Sequence, residues 1–418
     1  MFDNIYSSKK KEIKKKQFAK LKKIVSYAYK HSRFYKDHYD LHEFHPSQLL
    51  TFDDINKIPI VRRHQLKDCP SEQLLTVRNH RNLHCHTTSG SSGIPVNIYY
   101  NRIENYKVLW SCLRSYLHAG MSLRDRTVAL RDPIDIKKNT FYQKMGIIPY
   151  DYFNLYDSIE NIYANLLKNY SNIDILKAYP TDLVNLALLS NKDSRSFPKV
   201  KYIYSDSEVL DSFSRNFIEK SLGTKILDFY ASVECGMIAF QTPTSNGKYL
   251  VNEDMIILED LGCNSSDSAS PILITNLYKM TTPIIRYELG DIIEFDRDSQ
   301  NDENGVLRLN RIHGKYLDFI VLSDNSIVSP HVPKQDLTHL GCIDKFKLVQ
   351  EKIDSVTLTI QKGAGFNDTT ELEILRKMDI AFKGLIKTRI EYVQDLVRGD
   401  CRKFKVIESK VAQKFLSH

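Results

Sequence analysis

The 418-residue chain contains no run of about 18 apolar residues, the length a helix needs to cross a bilayer, so no transmembrane segment is expected. Its opening residues, Met1 to Ile5 followed by lysines, lack an apolar signal core, which argues against secretion. The seven cysteines (Cys69, Cys85, Cys112, Cys235, Cys263, Cys342 and Cys401) are odd in number and scattered, with no Cys-x-x-Cys pair. That pattern excludes a disulfide framework and a zinc finger, and it suits reduced thiols in a cytoplasm. Internal repeats and long low-complexity tracts are absent. No RNA- or DNA-binding signature accompanies the basic residues, so no nucleic-acid partner is expected.

What remains is an ordinary globular composition, 42% hydrophobic and 26% charged, in a chain long enough for two or three domains. The net charge of +8 is unevenly spread, with twelve Lys or Arg against five Asp or Glu in residues 1–50. Residues 9–28 also read as a helix, because Phe18, Leu21, Val25 and Ala28 recur near a 3.6-residue period. Such a basic helix can dock on anionic lipid, nucleic acid or an acidic carrier protein. The favoured alternative is an exposed helix that packs its one apolar stripe on the main domain.

Helix-like segments (100–120, 161–169, 182–190) alternate with strand-like ones (127–130, 201–204, 225–229), which predicts an α/β architecture for the large N-terminal part. From 248 to 295 the pattern turns strand-rich, at 249–251, 255–258, 272–274 and 292–295, and predicts a β-subdomain. Beyond residues 314–318 a new pattern begins: strands at 346–350 and 356–360, an amphipathic helix at 370–382 and a strand at 388–393. The expected division is a domain over 1–315 and a small α+β domain of about 100 residues over 316–418.

Residues 87–96 read TTSGSSGIPV. Small hydroxylated residues punctuated by Gly90 and Gly93 bury little apolar surface, but their N–H groups and hydroxyls can converge on an anion. The loop is not of the Walker type, since no Gly-Lys-Ser/Thr follows. Alone it would read as a polar surface turn. Four further stretches change that: YASVE at 230–234, PIIRYELGD at 283–291, GKYLD at 314–318 and RGDCRKFK at 398–405. In order and spacing these resemble the adenylate-forming enzymes, the superfamily of acyl-CoA synthetases, peptide-synthetase adenylation domains and luciferases. The chain looks most like the phenylacetate–CoA ligase branch and its CapK-type relatives. The resemblance extends to residues 18–39, 58–63 and 178–183.

The resemblance implies a large multi-subdomain ATP- and carboxylate-binding domain, with a small C-terminal lid that swings about Asp318 between half-reactions. It also implies formation of acyl-AMP from ATP and a small-molecule carboxylate with Mg²⁺. The acyl group would then pass to a thiol, that of CoA or a carrier protein, or to an amine, with polysaccharide tailoring hinted at by CapK. Thr88, Ser89, Gly90, Ser91, Ser92 and Gly93 would cradle the triphosphate, Tyr230 would flank the adenine, and Glu234 would ligate the metal as a hard oxygen donor. Asp291 would meet the ribose hydroxyls. Lys315 stands where the family has an arginine and lacks its planar fork. Glu208 is what remains of an adenine-contacting turn. Lys403 is the candidate catalytic cation, with Arg402 and Lys405 as fallbacks. Arg286 either faces the phosphates or is structural. His84 and His86 share one face of a strand, but no third ligand is evident, and they read as structural. Ala231 and Val233 replace a glycine and a threonine of the usual motif. These departures, with Lys315, support a competing reading in which the fold is kept as a non-catalytic nucleotide-binding scaffold.

Overall fold

A computed structural model describes the chain except for residues 1–8, 78–81, 88–96, 132–135, 137–139, 155–156, 262–268, 302–304, 316–319, 325–326, 329–332, 334–335, 338–339, 341, 395, 397–406 and 412–418. Two compact units emerge, the first taking in most of residues 1–312 and the second chiefly 313–418.

The first unit is built on a mixed sheet. A short antiparallel pair, β1 (His84–Thr87) and β2 (Asn97–Tyr100), stands apart from it. The sheet proper begins with β3 (Thr127–Arg131), β4 (Tyr150–Asn154), β5 (Asn172–Ala178), β6 (Lys199–Asp206) and β7 (Ile226–Ser232). These five run parallel in the order β4-β3-β5-β6-β7. Parallel strands need crossover connections, and the helices Ile159–Asn169, Pro180–Lys192 and Ser212–Leu222 supply them after β4, β5 and β6. Helix Pro180–Lys192 starts on a proline whose fixed φ suits the first turn. It buries Leu183, Leu186 and Ala187, spaced by three and four residues, in a cluster with Val128, Leu130, Leu176 and Ile203.

The strand-rich segment does not form a sheet of its own. β8 (Gly236–Gln241) turns back antiparallel to β7 and pairs with β9 (Tyr249–Val251). The sheet then continues through β13 (Arg308–Lys315), β12 (Tyr287–Phe295), β11 (Ala269–Asn276) and β10 (Ile256–Asp260) to eleven strands. The tight β7–β8 hairpin makes this continuity unavoidable, because it hydrogen-bonds the antiparallel half to the edge the parallel half would otherwise expose.

The basic N-terminal helix, Lys10–His31, buries Ile13, Leu21, Ile24, Val25 and Ala28 while its lysines stay largely outside. Gln17 is buried with them, its amide donating to the carbonyls of Glu253 (2.9 Å) and Ile256 (3.0 Å). Packing one apolar stripe on the main unit is therefore what this helix does.

In the second unit, β16 (Ile343–Lys352), β17 (Ser355–Lys362), β18 (Lys387–Val393) and β19 (Ile407–Ser409) form a sheet in the order β18-β17-β16-β19, beside a small pair β14 (Ile320–Val321) and β15 (Ile327–Val328). Helix Asp368–Ala381 begins at Asn367, whose side chain caps the Thr370 N–H at 3.0 Å. Ile374 and Met378 of the helix pack with Leu348, Leu358, Ile360 and Phe382. A helix packed on a sheet is the α+β arrangement expected from the alternating strands.

Candidate active site

The turn between β7 and β8 carries Glu234, which is buried. Gly236 closes the turn at φ +72°, and a Cβ there would meet the Tyr278 hydroxyl at 3.0 Å and Val108 at 3.3 Å; backbone angle and space both demand glycine. Three successive carbonyls of the turn are fixed by buried side chains. Val233 accepts from Lys279 Nζ (3.1 Å) and from the Tyr100 hydroxyl. Glu234 accepts from Lys279 Nζ. Cys235 accepts from the Tyr278 hydroxyl (2.9 Å) and Asn276 Nδ2 (3.3 Å). The backbone that presents Glu234 is thus set without help from its own carboxylate.

Lys279 is fully buried. Its Nζ donates to the Tyr100 hydroxyl at 2.5 Å and lies 3.8 Å from the ring centre. Burial pushes its pKa down from 10.5 to about 7, against a partial upward pull from Cys235 and Glu234. Tyr100 ends β2, the strand that leaves the serine-rich loop. The neighbouring residues are tied to the same place: Tyr99 N–H donates to Thr282 Oγ1 (3.1 Å), which donates back to the Tyr99 carbonyl (3.0 Å). Buried Glu104 accepts from the N–H groups of Met280 (2.7 Å), Thr281 (2.9 Å) and Asn101 (3.1 Å). Segment 279–282 therefore anchors both the strand leaving the loop and the Glu234 turn, two motifs more than 130 residues apart in sequence. No motif pointed to Lys279; a lone lysine within an otherwise apolar and hydroxylated stretch was the available signal.

The other candidate residues are distributed as follows. Tyr230 lies near the end of β7, half-buried against the main core and opposite Ala239 of β8. Glu208, two residues past β6, accepts from the N–H (3.2 Å) and hydroxyl (2.7 Å) of Thr181 at the start of helix Pro180–Lys192, where a carboxylate also complements the helix dipole. Asp291 sits buried in β12. Lys315 is the last residue of β13. Thr88, Ser89, Gly90, Ser91, Ser92, Gly93, Asp318, Arg402, Lys403 and Lys405 lie outside the described residues. Arg286 takes the structural of its two alternatives: its guanidinium pairs with Glu259 (2.9 and 2.8 Å) and donates to the carbonyls of Ile58 (2.6 Å) and Asn56 (3.1 Å). His84 and His86 are exposed on β1, with the His86 ring edge-on to Tyr100 at 5.1 Å. Among the described residues no three His, Cys, Asp or Glu side chains gather as a metal cluster.

A second feature, which the motifs did not single out, lies at the C-terminal ends of the parallel strands, where open α/β sheets bind ligands. A cavity of about 220 Å³ is lined by Arg131, Lys177 and Asp206 near the ends of β3, β5 and β6, with Tyr150 and Tyr152 of β4, Tyr179 and Ser207. Asp206 Oδ2 pairs with Arg131 at 2.8 Å and with Lys177 at 3.2 Å. Lys177 also donates to the Tyr116 hydroxyl, and the Arg131 guanidinium lies 5.2 Å from the Tyr179 ring centre. Burial alone would raise the Asp206 pKa, but Arg131 and Lys177 hold it below the usual carboxylate value. A lysine inside the buried strand β5 was the sequence signal for this cluster.

No family model matches the chain. Protein CapK of Staphylococcus aureus is 22% identical over 381 residues, 88% of this chain and 82% of that protein. The phenylacetate-coenzyme A ligase of Escherichia coli is 22% identical over 390 residues, covering 85% and 86%. Among solved structures, 2-hydroxyisobutyryl-CoA ligase in complex with 2-HIB-AMP superposes with a TM-score of 0.76 at 17% identity, over 100% of this chain and 95% of that one. ATP-bound MatB of Rhodopseudomonas palustris gives 0.53 at 14% identity, over 79% and 67%. The chain thus shares its fold with these CoA ligases, and its sequence is similar along most of its length to CapK and phenylacetate-coenzyme A ligase.

Proposed function

We propose that the chain is an ATP-dependent, AMP-forming carboxylate ligase. The observation that carries the reading is the shared buried anchor, Lys279 to Thr282, which supports the Glu234 turn and the strand leaving the serine-rich loop together. In the first half-reaction an oxygen of the substrate carboxylate attacks the α-phosphorus of ATP. The bond from that phosphorus to the bridging oxygen breaks, giving acyl-AMP and pyrophosphate. In the second, a thiol attacks the acyl carbon and AMP leaves. CoA is the first candidate for that thiol, matching the CoA ligases among the relatives.

Thr88 to Gly93 hold the triphosphate through N–H and hydroxyl groups. Glu234 holds Mg²⁺, whose chemistry is to neutralise charge on the phosphates. The Glu234 carboxylate is a hard oxygen donor of the kind such an ion takes, and it would hold the ion there. Tyr230 and Glu208 bound the adenine, Asp291 and Lys315 the ribose, and Lys403 meets the charge that develops on the carboxylate and α-phosphate. Residues 1–315 bind the nucleotide and 316–418 form the moving lid that carries Lys403. A carrier protein's thiol or the amine of a sugar or amino acid are further acceptors, and the likeness to CapK favours a role in polysaccharide tailoring. The setting is the cytoplasm, in keeping with scattered free thiols. Ala231, Val233 and Lys315 favour a second reading, a nucleotide-binding scaffold. ATP–pyrophosphate exchange across a panel of carboxylates decides between them: exchange with any carboxylate supports the ligase. ATP binding without exchange overturns it in favour of the scaffold.

A further inference from the structure

The cavity at the ends of β3, β5 and β6 is of the wrong chemistry for an apolar guest. Arg131 and Lys177 face a single acidic partner, Asp206, so the cluster carries one excess positive charge. Both cations have only about 11% of their side chains exposed, so water screens that charge weakly. Tyrosines 150, 152 and 179 and Ser207 line the rest. An aliphatic or phenyl group placed here would strip water from these charges and return no hydrogen bond, which is costly. An ammonium would meet two like charges before reaching an acid that both already occupy. A second anionic group meets the excess charge directly, and a guanidinium can engage it with paired N–H donors. At about 220 Å³ the cavity has room for a short chain and a carboxylate.

We propose that this cavity receives the acyl portion of the substrate and that the substrate is a small dicarboxylate: one carboxylate is adenylated, and Arg131 with Lys177 binds the other. The inference rests on the ligase reading and narrows it to a substrate class. Asp206 pairs with both cations and fixes their positions.

The test is ATP–pyrophosphate exchange with malonate, succinate, glutarate and adipate against monocarboxylates of matched length, butyrate and hexanoate among them, and against phenylacetate. The wild-type protein should prefer at least one diacid over its matched monoacid by tenfold or more in kcat/KM. Arg131→Met and Lys177→Met should each cut that preference at least tenfold, as expected when a buried charged hydrogen bond is lost. Arg131→Lys, which keeps the charge, should retain more of it. The wild-type preference is read without any substitution, so a poorly folding variant leaves the inference exposed to refutation. Exchange confined to monocarboxylates overturns the substrate class while sustaining the ligase. If neither panel supports exchange the ligase reading fails, and calorimetry decides the cavity separately. Diacid binding that is lost in Arg131→Met upholds it as a dianion site, and no diacid binding overturns it.

Discussion

Lys279 offers a prediction that joins stability to the site. The variant Lys279→Met keeps the length and apolar shaft but removes the amine that holds the carbonyls of Val233 and Glu234 and the Tyr100 hydroxyl. Two opposing effects follow. The Val233 carbonyl keeps the Tyr100 hydroxyl, but leaving the Glu234 carbonyl without its lysine costs about 1–3 kcal/mol. Removing an ammonium whose pKa burial has lowered to about 7 relieves a desolvation penalty. The pH dependence separates them. Between about 7 and 10.5 the unfolded lysine holds its proton and the folded one does not, so the wild type gains stability as pH rises through that window. From pH 7 to pH 9 the gain is about 2 kcal/mol, from the linkage slope of about 1.4 kcal/mol per pH unit reduced by partial protonation at pH 7. The neutral amine still donates to the carbonyls at pH 9, so the hydrogen bonds survive while the penalty fades. Urea denaturation of both proteins at pH 7, 8 and 9 should show the deficit of Lys279→Met widening with pH; groups common to both proteins cancel in the difference. Parallel stability profiles would refute the buried, readily deprotonated lysine.

Three further outcomes are expected. Glu234→Gln, which keeps size but not charge, should lower exchange activity and raise the Mg²⁺ needed for half-maximal rate; an unchanged Mg²⁺ dependence would make Glu234 structural. Lys403→Ala should slow adenylation by ~10²–10³, yet still pass a pre-formed acyl-AMP to its acceptor; normal exchange here with collapse in Arg402→Ala or Lys405→Ala would shift the catalytic role along the tail. Arg286→Met should destabilise the fold by ~2–4 kcal/mol in urea titration, because it strands the largely buried Glu259 carboxylate; adding Glu259→Gln should recover part of the loss, and no recovery would place the cost elsewhere.

The sequence by itself determined what depends on local periodicity and motif order. Strands such as 249–251 and the helix near 159–169 follow from where apolar residues recur, and the apolar stripe of the N-terminal helix follows from Leu21, Val25 and Ala28. The motif series was enough to carry the resemblance to the adenylate-forming enzymes, whose fold the chain shares. Tertiary structure alone decided the rest. Whether Arg286 faces phosphate or protein turns on Glu259 and the carbonyls of Asn56 and Ile58, brought to it across more than 220 residues in the latter case. That β9 to β13 continue the parallel sheet depends on the β7–β8 hairpin, since strand pairing is non-local. The role of Lys279 and the charged lining of Arg131, Lys177 and Asp206 exist only once separate strands are packed side by side. Burial and charge balance belong to a three-dimensional neighbourhood, and spacing along one chain does not encode them.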